Sequence, residues 1–133
     1  MPASQVNPSA TVAAAAPGPV LDRALVRQML ELGGPEFTIG LYQEFETEAR
    51  ELLAAAAPAV AAADFMALLP MLHQLKGTAG TLGVTALAAQ ARALEHELQA
   101  GRTAGAAADF RALGHYFAKF AAEYLPLVSA GND

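Results

Sequence analysis

One histidine, one lysine and two glycines are spaced so that they share a face of a predicted helix. His73, Lys76, Gly77 and Gly80 stand at positions i, i+3, i+4 and i+7, and residues with this spacing lie above one another on a helix. The face therefore combines a nucleophilic imidazole, a positive charge and bare backbone. An imidazole is a good nucleophile near neutral pH because an ordinary histidine titrates at about pH 6.5.

The two glycines are informative because they carry a cost. Alanine is the commonest residue of this chain and the best helix former, whereas glycine inside a helix costs about 1 kcal/mol relative to alanine. That cost is accepted at both Gly77 and Gly80. We interpret it as space kept open beside His73, where even a methyl group would obstruct something.

A known family has residues in this pattern. The run His73-Gln74-Leu75-Lys76-Gly77, followed by small residues and then Leu82-Gly83, resembles the signature of histidine phosphotransfer (HPt) domains. Asp64 also lies at the usual distance of that family before the histidine. The resemblance extends more weakly from about residue 20 to residue 127, through helix spacing rather than identity.

The resemblance implies a function in two-component signalling. His73 would accept a phosphoryl group at Nε2 from a receiver-domain aspartate and relay it to the aspartate of another response regulator. The implied partners are receiver domains of a hybrid sensor histidine kinase, a response regulator, or both. The domain would be a phosphohistidine carrier without kinase or phosphatase activity and without a cofactor or metal of its own. The Mg²⁺ that commonly assists such a transfer is expected on the receiver domain.

Two further residues are predicted to serve the histidine. The helices on either side of Gly83 should form an antiparallel hairpin, with His73 ten residues before this glycine and Glu95 twelve after it. Glu95 is the candidate acceptor for Nδ1–H of His73, at a position where HPt domains commonly have glutamine or glutamate. Lys76 would neutralise the phosphoryl oxygens on the phosphorylated ring. Arg92, one turn before Glu95, has two interpretations: it holds the phosphoryl group, or it pairs with Glu95.

A docking surface for the partner is predicted around His73. Because this domain supplies only the nucleophile and a lysine, the partner must bring the remaining groups and must cover the histidine. The surface is predicted to include Gln74, Gly77 and Gly80, with Val26 and Leu30 as exposed apolar residues at its rim.

The helical pattern predicts an all-α fold. Four long amphipathic helices with short connections indicate an antiparallel up-down-up-down four-helix bundle, with an additional N-terminal capping helix. Asp22 and Asp64 are predicted N-caps, and Gly33-Gly34 is predicted to end the capping helix. The apolar stripes of the first two helices place these residues in the core: Leu25, Met29 and Leu32, then Phe37, Leu41, Phe45 and Leu52.

Three prolines are predicted to interrupt helices, because proline lacks the backbone N–H that a helix interior uses. Pro58 should kink or end its helix, and Pro126 should mark the end of the last one. Pro70 should introduce a kink just before His73, or else its helix should begin later than Asp64.

Length and composition limit the remaining possibilities. The chain has 133 residues, no cysteine and a net charge of −5, which favours one domain without disulfides and argues against nucleic-acid binding. Residues 1–19 are predicted to be a flexible Ala/Pro-rich tail or linker, and residues 20–129 the bundle domain. No stretch is apolar enough for a transmembrane helix, and no signal peptide is recognised. We therefore expect a cytoplasmic protein that does not bind membranes and is a monomer.

Three alternatives stay open. In the first, the histidine belongs to a chemotaxis-type kinase and is phosphorylated directly by a kinase domain. In the second, the bundle is an adaptor that is never phosphorylated. In the third, His73, His96 and nearby glutamates bind a metal, although no HxxxH or ExxH spacing supports such a site. The sequence does not distinguish a stand-alone protein from a domain of a larger kinase.

Overall fold

The computed structural model describes residues 18–131. Within this range it contains four helices and no strand: α1, Arg23–Ala61; α2, Phe65–Thr81; α3, Thr85–Gln99; and α4, Ala106–Ser129. The prediction of an all-α fold is confirmed. Of the predicted tail, residues 1–17 lie outside the described part of the chain.

Two aspartates begin the helices that matter most for the site. The Asp22 carboxylate accepts a hydrogen bond from the Leu25 N–H at 3.2 Å, at the start of α1. The Asp64 carboxylate accepts one from the Ala67 N–H at 3.3 Å, at the start of α2. Each bond satisfies one of the backbone N–H groups that the first turn of a helix leaves unpaired. Both predicted N-caps are confirmed.

Helix α1 is interrupted at Gly34, which has φ 83° and ψ 178°. This backbone conformation is strongly disfavoured for residues with a side chain. The Thr38 hydroxyl donates to the Gly34 carbonyl at 2.9 Å, across the first turn after the interruption. The predicted break between the first two helical stretches is therefore present, although the second stretch begins directly at Pro35.

The helices do not begin or end where the three prolines suggested, and the kinks at Pro58 and Pro70 stay predictions. α1 continues beyond Pro58 to Ala61, α4 continues beyond Pro126 to Ser129, and α2 begins at Phe65 and includes Pro70. All three prolines are exposed. The carbonyl four residues earlier, which each proline deprives of a partner, belongs in every case to an exposed residue. Water can therefore satisfy that carbonyl, which lowers the cost of the proline.

The helices enclose one core. α1 packs mainly on α2 and α4, and α3 packs mainly on the same two helices. Aromatic side chains of α1 and α4 fill one side, where Tyr42 and Phe45 meet Phe120 with ring centroids 5.6 and 5.4 Å apart. Leucines of α2 and α3 fill the other side: Leu68, Leu72, Leu75, Leu87 and Leu94. Burying each such side chain contributes about 1.5–3 kcal/mol.

Two residues of the predicted core are exposed instead. In the first part of α1, Val26 and Met29 are buried, which places Leu32 beyond the edge of the buried face. Phe37 follows the interruption at Gly34, and its ring is also exposed. The helical period that predicted both burials was correct, but the direction of the buried face had to be read from the packing.

Gly83 joins the start of the described chain to the turn between α2 and α3. Its carbonyl accepts from the Asp22 N–H at 2.8 Å, and the Thr85 N–H donates to the Val20 carbonyl at 3.1 Å. Gly83 has φ 71°, and a Cβ there would lie 2.8 Å from Cδ2 of Leu25. The left-handed backbone conformation therefore favours glycine, and an added Cβ would also displace the end of the Leu25 side chain. This anchor fixes the turn from which α2 and α3 run back along each other.

Among the described residues, no helix combines the length and apolar character that crossing a membrane requires.

Candidate functional site

His73 lies near the middle of α2, at the edge of its buried face. Leu72 and Leu75 on the same helix are buried in the core. The His73 side chain is 71% exposed. The core therefore fixes the backbone at this position while the imidazole ring faces solvent, where a second protein can reach it.

Glu95 of α3 fixes the orientation of this ring. Nδ1 of His73 lies 3.1 Å from Oε2 of Glu95, and the glutamate side chain is only 8% exposed. An ionised carboxylate can only accept a hydrogen bond, so this contact places the proton of a neutral imidazole on Nδ1. The lone pair then lies on Nε2, the nitrogen on the other side of the ring.

Lys76 holds the second oxygen of the same glutamate. Its Nζ donates to Oε1 of Glu95 at 2.7 Å, and the lysine side chain is 26% exposed. The hydrogen bond from Lys76, aided by that from His73 and by the positive charge of Lys76, holds the pKa of Glu95 below its usual range. Burial opposes this shift but is outweighed. Glu95 is therefore a carboxylate with both oxygens engaged.

The two predicted glycines leave an open surface next to this group. Gly77 and Gly80 are exposed, and a Cβ built on either one would have no heavy atom within 4 Å apart from the adjoining helix backbone. Packing among residues 18–131 therefore does not require glycine at either position. The helix bears the cost of two glycines without any gain within the described chain, and the space faces outward.

Comparison with known families assigns the chain. The model of the Hpt domain family matches residues 40–123, a span that includes His73, Lys76 and Glu95. This span is more than half of the chain. The chain belongs to the Hpt domain family. No curated protein and no solved structure matches it. Hpt domains are helical bundles that take part in histidine phosphotransfer within two-component phosphorelays and interact with receiver domains.

Gln74 of this Hpt domain contacts α1. Its Nε2 donates to Oε2 of Glu48 at 3.0 Å, and the Thr78 hydroxyl lies 3.3 Å from the same oxygen. Glu48 therefore connects α1 to the turn of α2 that carries the histidine. Glu48 is one of several glutamates in the sequence of α1. Nothing in the helical period singles it out, because its partners belong to another helix.

The prediction that Val26 lies exposed at the rim of the docking surface was wrong. Val26 is 0% exposed and belongs to the core, so its side chain cannot form the exposed rim of a docking surface. Leu30 is half-buried against the same core. The large apolar side chains that are exposed among the described residues are Leu32, Phe37, Met66 and Leu125. The sequence period gives the spacing of the buried positions but not the face of the helix that packs inward, so it did not place Val26 in the core.

The other charged and histidine residues of this Hpt domain do not join the group. Arg92 is exposed and has no hydrogen bond or ion pair with another residue of the described range. Its predicted pairing with Glu95 is absent, because Lys76 and His73 occupy both carboxylate oxygens. His115 lies beside the ring of Tyr116, and His96 is exposed. No three histidine, aspartate or glutamate side chains converge as a metal site within residues 18–131.

Proposed function

We propose that His73 is the phosphoacceptor of this Hpt domain. It accepts a phosphoryl group from the aspartyl phosphate of one receiver domain and passes it to the aspartate of another. The observation that supports this assignment is the exposed ring held by Glu95 through Nδ1, because it leaves Nε2 as the nucleophilic atom directed to solution.

The transfer balances without any proton leaving the site. The Nε2 lone pair forms the new N–P bond while the P–O bond to the aspartate breaks, and the electron pair leaves with the aspartate carboxylate. The ring keeps its proton on Nδ1 and becomes positively charged. Glu95, which accepts that Nδ1–H, stabilises the developing charge, and this electrostatic stabilisation is the main contribution that the Hpt domain can make. The reverse sequence passes the phosphoryl group onward.

Lys76 serves this arrangement through Glu95. Its hydrogen bond to Oε1 helps to keep the carboxylate ionised and leaves Oε2 directed at the histidine. Its ammonium also adds positive charge beside the ring. Direct contact of Lys76 with the phosphoryl oxygens stays a prediction.

The receiver docks over the open surface around His73. We assign Gln74, Gly77, Gly80 and Leu30 to this surface, because Gly77 and Gly80 share the exposed face of the histidine and Gln74 is the exposed residue next to it. The receiver supplies the aspartate and the Mg²⁺, and the Hpt domain acts as a monomer in the cytoplasm. The hairpin of α2 and α3 and the packing of α1 on α2 and α4 support an antiparallel up-down-up-down bundle, with residues 23–33 as its cap.

Radiolabelled phosphotransfer tests the phosphoacceptor. The chain is incubated with phosphorylated receiver domains of the source organism, and the label on it should be labile in acid and stable in base. Replacing His73 by glutamine should abolish the label, whereas His96→Gln and His115→Gln should retain it. Label that persists in His73→Gln would overturn the assignment. Label acquired only from an isolated kinase domain would favour a chemotaxis-type role instead.

A further inference from the structure

Two cations lie on α2 and α3 near the histidine, and they differ in what they already bind. Lys76 donates to the buried Glu95 carboxylate at 2.7 Å. Arg92 is exposed and has no hydrogen bond or ion pair within residues 18–131. A phosphoryl group on His73 would need a nearby positive charge, and the two residues would supply it at different cost.

Recruiting Lys76 would remove a partner from a buried charge. If Nζ moved to the phosphoryl oxygens, Oε1 of Glu95 would lose the hydrogen bond that contributes most to keeping this carboxylate ionised. Removing a hydrogen bond from a buried carboxylate is costly. Arg92 has no such partner among the described residues, so its guanidinium can turn toward a new anion without breaking an interaction.

The position of Arg92 brings it within reach of the phosphorylated ring. It precedes Glu95 by three residues on α3, which is one helical turn and a rise of about 4.5 Å. α2 and α3 run in opposite directions from their short turn, so Arg92 lies at the level of Lys76 on α2. The next residue of α2, Gly77, has no side chain and leaves the surface there open. The long side chain of Arg92 can therefore extend over this open surface toward His73.

We propose that Arg92 binds the phosphoryl oxygens of phospho-His73, an inference that rests on the proposed function of this histidine. The guanidinium presents several N–H donors in a planar fork that matches phosphate oxygens. Lys76 and Arg92 then have separate duties. Lys76 keeps Glu95 charged for the ring, and Arg92 neutralises the group that the ring carries.

Chemical phosphorylation tests this division without an identified partner. Phosphoramidate transfers its phosphoryl group to imidazole: the Nε2–P bond forms, the P–N bond of the reagent breaks, and neutral ammonia leaves with that electron pair. The full chain is treated in five forms: wild type, Arg92→Ala, Arg92→Lys, Arg111→Ala and His73→Gln. ³¹P NMR then follows the phosphohistidine signal through a pH titration, and the His73→Gln variant identifies which signal belongs to His73.

A cation that touches the phosphoryl group favours its doubly ionised form. Arg92→Ala should therefore raise the pKa of the phosphoryl group by roughly half a unit at low salt. The difference from wild type should shrink as salt is added. The phosphoryl pKa of Arg92→Lys should lie between those of wild type and Arg92→Ala. Arg111→Ala removes an exposed arginine of α4, which packs mainly on α1 and α3, and should match wild type.

The outcomes separate the two proposals. A His73 signal whose titration is identical in wild type and Arg92→Ala overturns the role of Arg92 and leaves His73 as the phosphoacceptor. A wild-type chain that gives no signal dependent on His73 contradicts the proposed function itself. Circular dichroism of each variant shows whether the bundle is intact. If Arg92→Ala does not fold, Arg92→Lys takes its place, and the pKa of its phosphoryl group should lie above that of wild type.

Discussion

Glu46 and Glu95 each bridge two donors, yet only Glu95 contacts the proposed phosphoacceptor. Glu46 of α1 accepts from the Tyr124 hydroxyl at 2.7 Å and from Arg50 at 2.6 Å. Glu95 of α3 accepts from Lys76 at 2.7 Å and from His73 at 3.1 Å. A carboxylate with two good hydrogen bonds is therefore not by itself a sign of chemistry.

The difference lies in what the donors can still do. Tyr124 is buried and stacks on Phe120 with centroids 4.9 Å apart, and the Arg50 guanidinium lies 5.2 Å from the centre of the Phe117 ring. Both donors around Glu46 are thus engaged by the aromatic core as well. The ring of His73 is exposed, and its second nitrogen has no partner within the described residues. The α1–α4 side of the bundle acts as a scaffold, and the α2–α3 side retains an unused functional group.

The largest effect on stability should come from the scaffold side. Phe120→Ala removes a fully buried ring that contacts Tyr42, Phe45 and Tyr124. We expect the free energy of unfolding to fall by about 3–5 kcal/mol, as measured by urea denaturation. Phosphotransfer per folded molecule should be unchanged. Phe37→Ala, which truncates an exposed ring, is the matched control and should cost much less. Equal losses would show that this region is not the main core.

The largest effect on transfer, apart from loss of His73, should come from the other glutamate. Glu95→Ala removes the acceptor that orients the ring, and we expect the rate of transfer to fall about 10- to 100-fold, the loss typical of removing the partner that orients a metal-bound histidine. Glu95→Gln retains an acceptor oxygen and should recover part of the rate. Glu46→Ala should leave the rate of phosphotransfer from a phosphorylated receiver near that of wild type. A slow Glu46→Ala variant with an intact fold would break the distinction between the two sides.

Two glycine substitutions sharpen the comparison within α2 and its turn. Gly77→Ala places a methyl group in open space and should raise the free energy of unfolding by up to about 1 kcal/mol, because alanine favours the helix. Transfer from a docked receiver should nevertheless slow. Gly83→Ala should destabilise the fold, since φ is 71° and Leu25 lies 2.8 Å from the added carbon. If Gly77→Ala transfers as fast as wild type, the open surface is not needed for docking.

The smallest expected effects are changes in the free energy of unfolding with pH, in acid for Glu95 and in alkali for Tyr124. The pKa of Glu95 is lowered in the folded chain, so its contribution to stability is present above the ordinary glutamate pKa and is lost as pH falls through the folded value. Burial and the hydrogen bond to Glu46 raise the pKa of Tyr124 from 10.0 to about 12. Its contribution is present below pH 10.0 and is lost as pH rises towards about 12.

Denaturation curves across pH measure both contributions. The difference between wild type and Glu95→Gln should shrink in acid, and the difference between wild type and Tyr124→Phe should shrink in alkali. A difference that is constant with pH would contradict the corresponding hydrogen bond.

The contact between His73 and Glu95 could be predicted because it depends on the number of residues that separate each of them from the turn at Gly83. One turn at Gly83 fixes the register of two helices, and residues at similar distances from it must meet. The contact between Lys76 and Glu95 could not, because a long lysine side chain can reach either a carboxylate or a phosphoryl group. Val26 and Leu32 were placed on the wrong sides because helical period gives the spacing of a buried face and not its direction. The helices continue past Pro58 and Pro126 because the carbonyls that these prolines leave without a donor lie at the surface.

The anchor at Gly83 also decides where the chain enters the bundle. Residues 20 and 22 are hydrogen-bonded to the backbone of Gly83 and Thr85, so the described part of the chain begins beside the α2–α3 turn. His73 precedes Gly83 by ten residues, most of them in α2, which corresponds to about 15 Å. A fluorophore attached at Gly18 would sit close enough to sense an arriving receiver, whereas a bulky affinity tag placed there would crowd it. Tags are better fused after α4, and the entry point is better reserved for a reporter.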